Sequence, residues 1–154
     1  MKLSEHLDLV EVTRSESAKR RGISNMPTEE HTKNLKLIAE KVFEPIRANF
    51  RQPIRISSGY RSQALNAAIG GAMKSQHSSG EALDIDMDGT DISNAEIFKF
   101  IKDKLDFDQL IWEFGTKQNP DWVHVSYSAS GKQRKQVLRA IKEQGKTKYI
   151  PYAD

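Results

Sequence analysis

A chain of 154 residues with no cysteine is long enough to bury a core without covalent staples, and it has no disulfides, thiolate metal sites or cysteine nucleophiles. Its 24 Lys+Arg against 21 Asp+Glu leave a net charge of +3, too small a surplus to argue for a nucleic-acid partner. Nothing approaches the roughly 20 apolar residues of a membrane span. The start, "MKLSEHLDLVEVTRSES", carries acidic residues where an export signal needs an apolar run, so a protein cytoplasmic as synthesised is expected.

In chain order, the first 50 or so residues read as a helical region. Thr28 is an N-cap followed by Glu29 and Glu30 at the positive end of the helix dipole. Leu35, Ile38, Val42, Ile46 and Phe50 recur at helical spacing, and Pro45 should kink or break that helix. "PIRIS" alternates as a short strand, and "SGYRSQALNAAIGG" reads as a turn, a short helix and a Gly-Gly stop. In "ALDIDM" the residues Leu83, Ile85 and Met87 point one way and Ala82, Asp84 and Asp86 the other.

"SNAEIFKFIKDKL" is a helix opened by a capping box, Ser93 with Glu96, and striped by Ile97, Ile101 and Leu105. "QLIWEF" and "WVHVSY" are two further strands. From Lys132 onward, Arg134, Lys135, Arg139, Lys142, Lys146 and Lys148 face only Glu143 and Asp154, and we read this as a basic helix and tail, stopped near Gly145. No repeat or linker divides the chain. The expected fold is α+β in one domain: a helical region (about 1–50), a core (about 53–128) with a small antiparallel sheet flanked by helices, and the C-terminal helix and tail (about 132–154).

On "DWVHVSY", Trp122, His124 and Ser126 share one face, while Val123 and Val125 form the core face. Two strands can therefore present Asp84 and His124 together, with His77 arriving from the preceding loop. Three N/O ligands that leave a coordination place open are the pattern of a catalytic zinc. Ala82 leaves room beside Asp84, and Asp121, three residues before His124, can act on water without ligating metal. Arg61, in "SGYRS", can hold a substrate carboxylate or an oxyanion. Each residue alone also has an ordinary reading: a half-buried strand histidine, an aspartate cap, a surface arginine. His6 and His31 have no such company and read as surface or structural residues.

Taken together, "SGYRS", "SQHSSGEALDID" and "DWVHVS", in this order, resemble the zinc D-alanyl-D-alanine carboxypeptidase family, which includes phage L-alanyl-D-glutamate endopeptidases and shares a core with the lysostaphin and hedgehog folds. The pattern Ser-x-His-x-x-Gly-x-Ala-x-Asp is met by Ser75, His77, Gly80, Ala82 and Asp84, and the acidic residue three before a strand histidine by Asp121 and His124. The resemblance implies that His77, Asp84 and His124 hold zinc, that Asp121 is the general base, and that Arg61 contacts substrate, with Ser75 and Trp122 alongside. Many members carry glutamate at the base position, and this chain has the shorter Asp121. The implied substrate is a peptidoglycan stem peptide or cross-link, and the implied setting a phage or prophage lysin.

"DIDMDGTDISNAE" also begins like a calcium loop, with Asp84, Asp86 and Asp88 alternating and Gly89 sixth. The match then fails: Asp91 stands where an apolar residue belongs, and Ala95 where the bidentate glutamate belongs. A solvated turn leading to the Ser93 cap is the preferred reading of Asp88 and Asp91, with a secondary ion at Asp86, Asp88 and Asp91 left open. A non-catalytic, zinc-containing wall-binding or phage-structural protein is the runner-up, although a binder has no use for Asp121.

Overall fold

The computed structural model describes residues 1–71 and 75–153; Asp154 of the expected tail lies outside them. A short hairpin, β1 (Lys2–Ser4) and β2 (Leu7–Asp8), leads into the small helices α1 (Leu9–Thr13) and α2 (Glu16–Arg21). Next comes α3 (Glu29–Ile38), whose first turn is closed by the Thr28 hydroxyl accepting from the His31 N–H, as its sequence requires. Pro45 does not break the helical segment. A π-helical turn, Ala39–Phe43, precedes it, and the Glu44 N–H reaches back five residues to the Ala39 carbonyl before α4 (Glu44–Phe50) continues. Widening the helix by one residue ahead of the proline absorbs its missing N–H and its ring.

Six strands form the main sheet: β3 (Ile56–Ser58), β4 (Ala82–Ile85), β5 (Gln109–Glu113), β6 (Trp122–Ser126), β7 (Gln136–Glu143) and β8 (Lys146–Pro151), in the spatial order β3-β4-β6-β5-β7-β8. The helix α5 (Gln63–Ala68) lies between β3 and β4 in sequence, and α6 (Asn94–Lys104) between β4 and β5. The capping box of α6 forms as read from Ser93 and Glu96. The α+β class holds, but the sheet is larger than expected and mixed, because β5 and β7 run parallel.

The basic C-terminal helix is not formed. Those residues are β7 and β8, a hairpin closed by Gln144 and Gly145, both at positive φ, as a two-residue turn between right-twisted strands needs. Gly145 is a turn residue and not a helix stop. The free edge of β5 offers a ladder of backbone hydrogen bonds, and this overrides the helix propensity of a Lys-, Arg- and Gln-rich segment.

One face of the sheet carries the core and the other carries a cleft. Leu83, Ile85, Val123, Val125, Leu110 and Trp112 point to the first, where they pack with Leu35, Ile38, Val42, Phe43 and Ile46 of the long helical segment and Ile97, Phe98 and Ile101 of α6. The Phe98 ring meets Trp112 edge-on at 5.1 Å. Asp84, Trp122, His124, Ile111 and Glu113 point to the other face. The long helical segment and α6 thus cover the core face.

Gly80 closes the turn that leads into β4. Its φ is +77°, and a Cβ there would lie 2.5 Å from the His31 carbonyl oxygen and 3.2 Å from Leu35 Cγ. Gly80→Ala is therefore expected to cost about 2–4 kcal/mol, from left-handed strain plus a backbone clash. The urea midpoint of the purified variant checks this.

Candidate metal centre

His77 lies on a 3-10 turn, Gln76–Ser79, that is built for it. The Ser75 hydroxyl accepts from the His77 N–H at 3.2 Å, and the His77 carbonyl accepts from the Arg61 N–H at 3.1 Å. The His77 ring is buried, and its Nδ1 lies 2.6 Å from the Gly59 carbonyl oxygen. A carbonyl only accepts, so Nδ1 carries a proton towards Gly59, and Nε2 is the ring nitrogen turned to Asp84. Gly59 itself has no room for a side chain, since a Cβ would stand 2.6 Å from Val12 Cβ. The "SGYRS" and "SQHSSG" segments are thus two halves of one scaffold: the first orients the imidazole of the second.

Asp84 is directly opposite His124 in the β4–β6 ladder. His124 Nδ1 is 3.0 Å from Asp84 Oδ1, His77 Nε2 is 3.2 Å from the same oxygen, and the two rings stand 5.2 Å apart. One ligand atom from each of the three residues falls within 4.8 Å of the others. Ala82 is fully buried and keeps the space beside Asp84 small-sided. Burial alone would raise the Asp84 pKa, but the charge of His77 and hydrogen bonds from both imidazoles outweigh it and hold the carboxyl well below the usual range.

His77 Nε2 and His124 Nδ1 both turn to one oxygen of Asp84, so the three donors converge on a single place. His124 Nε2 is buried without a hydrogen-bond partner among the described residues. His77, Asp84 and His124 would together hold a divalent cation, since two imidazoles with one carboxylate form a set of the kind zinc takes. The residues fit the metal.

Around the three ligands opens a cleft of ≈ 810 Å³. Arg61, Ser75 and Trp122 line it, and the Arg61 Nε is buried without a described acceptor. Ser75 also caps the His77 turn. Arg134 lines the far side, held by Asp108 at 2.8 Å, and Gln76 donates to the same carboxylate at 2.9 Å, which ties the His77 turn to the segment before β7.

Asp121 is not brought to the cleft. It lies just before β6 in the alternation of Val123 and Val125, its side chain is exposed, and its backbone is pinned by the Glu113 carbonyl and by Asn94. Besides Asp84, the carboxylate that lines the cleft among the described residues is Glu113, at the end of β5 and only 6% exposed. Burial pushes its pKa up to about 7, His124 pulls it down and Asp84 pushes it further up. Sequence reasoning passed over it. The one available signal was the period of two in "QLIWE", and Ile111 on the cleft face blurs which side is polar.

The remaining sequence candidates separate cleanly. Asp86, Asp88 and Asp91 belong to neither of the metal-competent groups among the described residues; Asp86 instead accepts from the Asp88 N–H and from Asn94. His31 meets the Tyr60 hydroxyl at 3.2 Å. His6 pairs with Glu44 at 2.7 Å and, with Glu5, makes the second and more exposed group.

No curated protein matches the chain. A family model does: Peptidase M15, over residues 5–126, a span that includes all three ligand positions and the strands that carry them. M15 peptidases are zinc-dependent metallopeptidases, in agreement with the donor set. By that match the chain belongs to the peptidase M15 family.

Proposed function

We propose that this protein is a zinc-dependent peptidase that hydrolyses peptide bonds in peptidoglycan stem peptides or cross-links, as a D,D-carboxypeptidase or an L-alanyl-D-glutamate endopeptidase, and that it serves as a phage or prophage cell-wall lysin. The observation that carries the reading is the convergence of His77, Asp84 and His124 at the floor of an open cleft. Zinc held by these three residues supplies a Lewis acid that polarises a peptide carbonyl and acidifies water.

This chain's own residues do the rest. Gly59 and Asp84 fix the His77 ring, so the ligand atoms are preorganised. Arg61 sets positive charge on the cleft wall, while that of Arg134 is paired with Asp108; the Arg61 charge suits stem peptides rich in carboxylates. Trp122, its ring 5.5 Å from that of Phe114, offers a flat apolar surface beside the reacting centre. The wall is reached after release from the cell in which the chain is made. The alternative, a zinc-containing wall binder without turnover, predicts the same metal site and no products.

Digestion of purified peptidoglycan with and without chelator, with new termini read by mass spectrometry, tests the proposal and names the bond. Complete zinc removal is expected to lower the rate by at least about 1000-fold, and zinc alone should restore it. Hydrolysis unchanged after metal removal would sink the mechanism, and zinc bound with no new termini would favour the binder.

A further inference from the structure

Asp121 faces solvent, and the peptidase reading still requires a group that moves a proton between water and the leaving amine. We propose that Glu113, at the end of β5, is that group. As the water oxygen bonds to the scissile carbonyl carbon, the Glu113 carboxylate takes the water's proton. When the C–N bond breaks, it returns the proton to the departing nitrogen, so peptide and water become a carboxylic acid and an amine and Glu113 is a carboxylate again. The inference rests on the peptidase reading.

The sheet register carries it. Asp84, His124 and Ile111 lie side by side in one row across β4, β6 and β5; the next row contains Trp122, Glu113, Ala140 and Tyr149 across β6, β5, β7 and β8. Glu113 is therefore a diagonal neighbour of His124 on the cleft face, a separation of roughly 7–8 Å that a long side chain spans. Ala140 beside it adds almost no bulk.

Its surroundings point the same way. A buried carboxylate with a structural role is normally tied by an ion pair or donors. No described residue donates a hydrogen bond to the Glu113 side chain, although it is nearly fully buried. It opens instead on the cleft, next to the metal ligands but outside their cluster. Asp121 has none of these properties.

Zinc-loaded wild type, Glu113→Gln, Glu113→Asp and Asp121→Asn would be compared on purified muropeptides, with zinc per chain measured by elemental analysis and folding checked by circular dichroism. Glu113→Gln is expected to keep one zinc per chain and lose about 10²–10³-fold in kcat, with KM within about threefold and the acid limb of the kcat/KM profile gone. Glu113→Asp should fall between it and wild type, and Asp121→Asn should stay within about threefold of wild type. The proposal is overturned if Glu113→Gln turns over near the wild-type rate, if it loses its zinc, or if Asp121→Asn alone shows the kcat loss. A folded, zinc-loaded wild type that cuts no muropeptide overturns the peptidase reading and this inference together. Wild-type cleavage with an indifferent Glu113→Gln overturns this inference alone.

Discussion

Asp84→Ala is expected to lose stoichiometric zinc and at least about 1000-fold in peptidase turnover, the equivalent of roughly 4 kcal/mol of transition-state stabilisation. Asp84 is the hub of the site: its Oδ1 faces both His77 Nε2 and His124 Nδ1, at 3.2 and 3.0 Å. Without the carboxylate the remaining donors are two imidazoles, and the anion that offsets a divalent charge in a buried place is gone. A thermal readout separates this from simple damage. Zinc at a hundred times its Kd should stabilise the wild type by about 2.7 kcal/mol, or roughly 5–10 °C in Tm for a domain of this size. Calorimetry with and without zinc should show that shift in wild type and none in Asp84→Ala. A variant that still gains several degrees from zinc would mean that the metal is held elsewhere.

Asn94→Ala is expected to cost about 3–5 kcal/mol, far more than a typical helix N-terminal residue. Asn94 is the first residue of α6 and is 1% exposed. Its Oδ1 accepts from the Met87 N–H at 2.7 Å, and its Nδ2 donates to the Pro120 and Asp121 carbonyls at 3.2 and 3.0 Å. One side chain thus pins the segment after β4 to the segment before β6, next to the strands that carry Asp84 and His124. Truncation leaves a buried N–H and two carbonyls without partners. Asn94→Asp should not rescue, since a carboxylate would face those carbonyls with no hydrogen to give. Urea unfolding measures the loss, and a zinc titration should show affinity weakened by roughly tenfold because the ligand strands are less firmly held. Stability within about 1 kcal/mol of wild type would show that the clamp is unimportant.

Much of the site is legible in the residues alone. His77, Asp84 and His124 stand out because the chemistry demands particular residue types at particular places: a glycine where φ is +77° and no side chain fits, an alanine beside the ligand, and strands whose apolar positions alternate with the ligands. The capping box at Ser93 and Glu96 is local in the same sense. These are short-range constraints, satisfied within a turn or a strand.

The misreadings share one physical origin. Residues 132–148 have helical composition, but their backbone finds a sheet edge, and pairing with β5 outweighs propensity. Pro45 should interrupt a helix, but packing of Val42, Phe43 and Ile46 in the core keeps the axis continuous through a π turn. Asp121 sits at the spacing of a base from His124, yet the alternation at the start of β6 turns it to solvent.

Residue identity over a few neighbouring positions dictates the candidate metal ligands, the turn that aims His77 and the α+β class. Which carboxylate shares the cleft is a tertiary matter, because it depends on strand register. β5 lies against β6 so that Glu113 falls opposite Trp122, one row from His124, while Asp121 falls beyond the end of the ladder. Register is a relation between strands distant in the chain, and no local pattern encodes it.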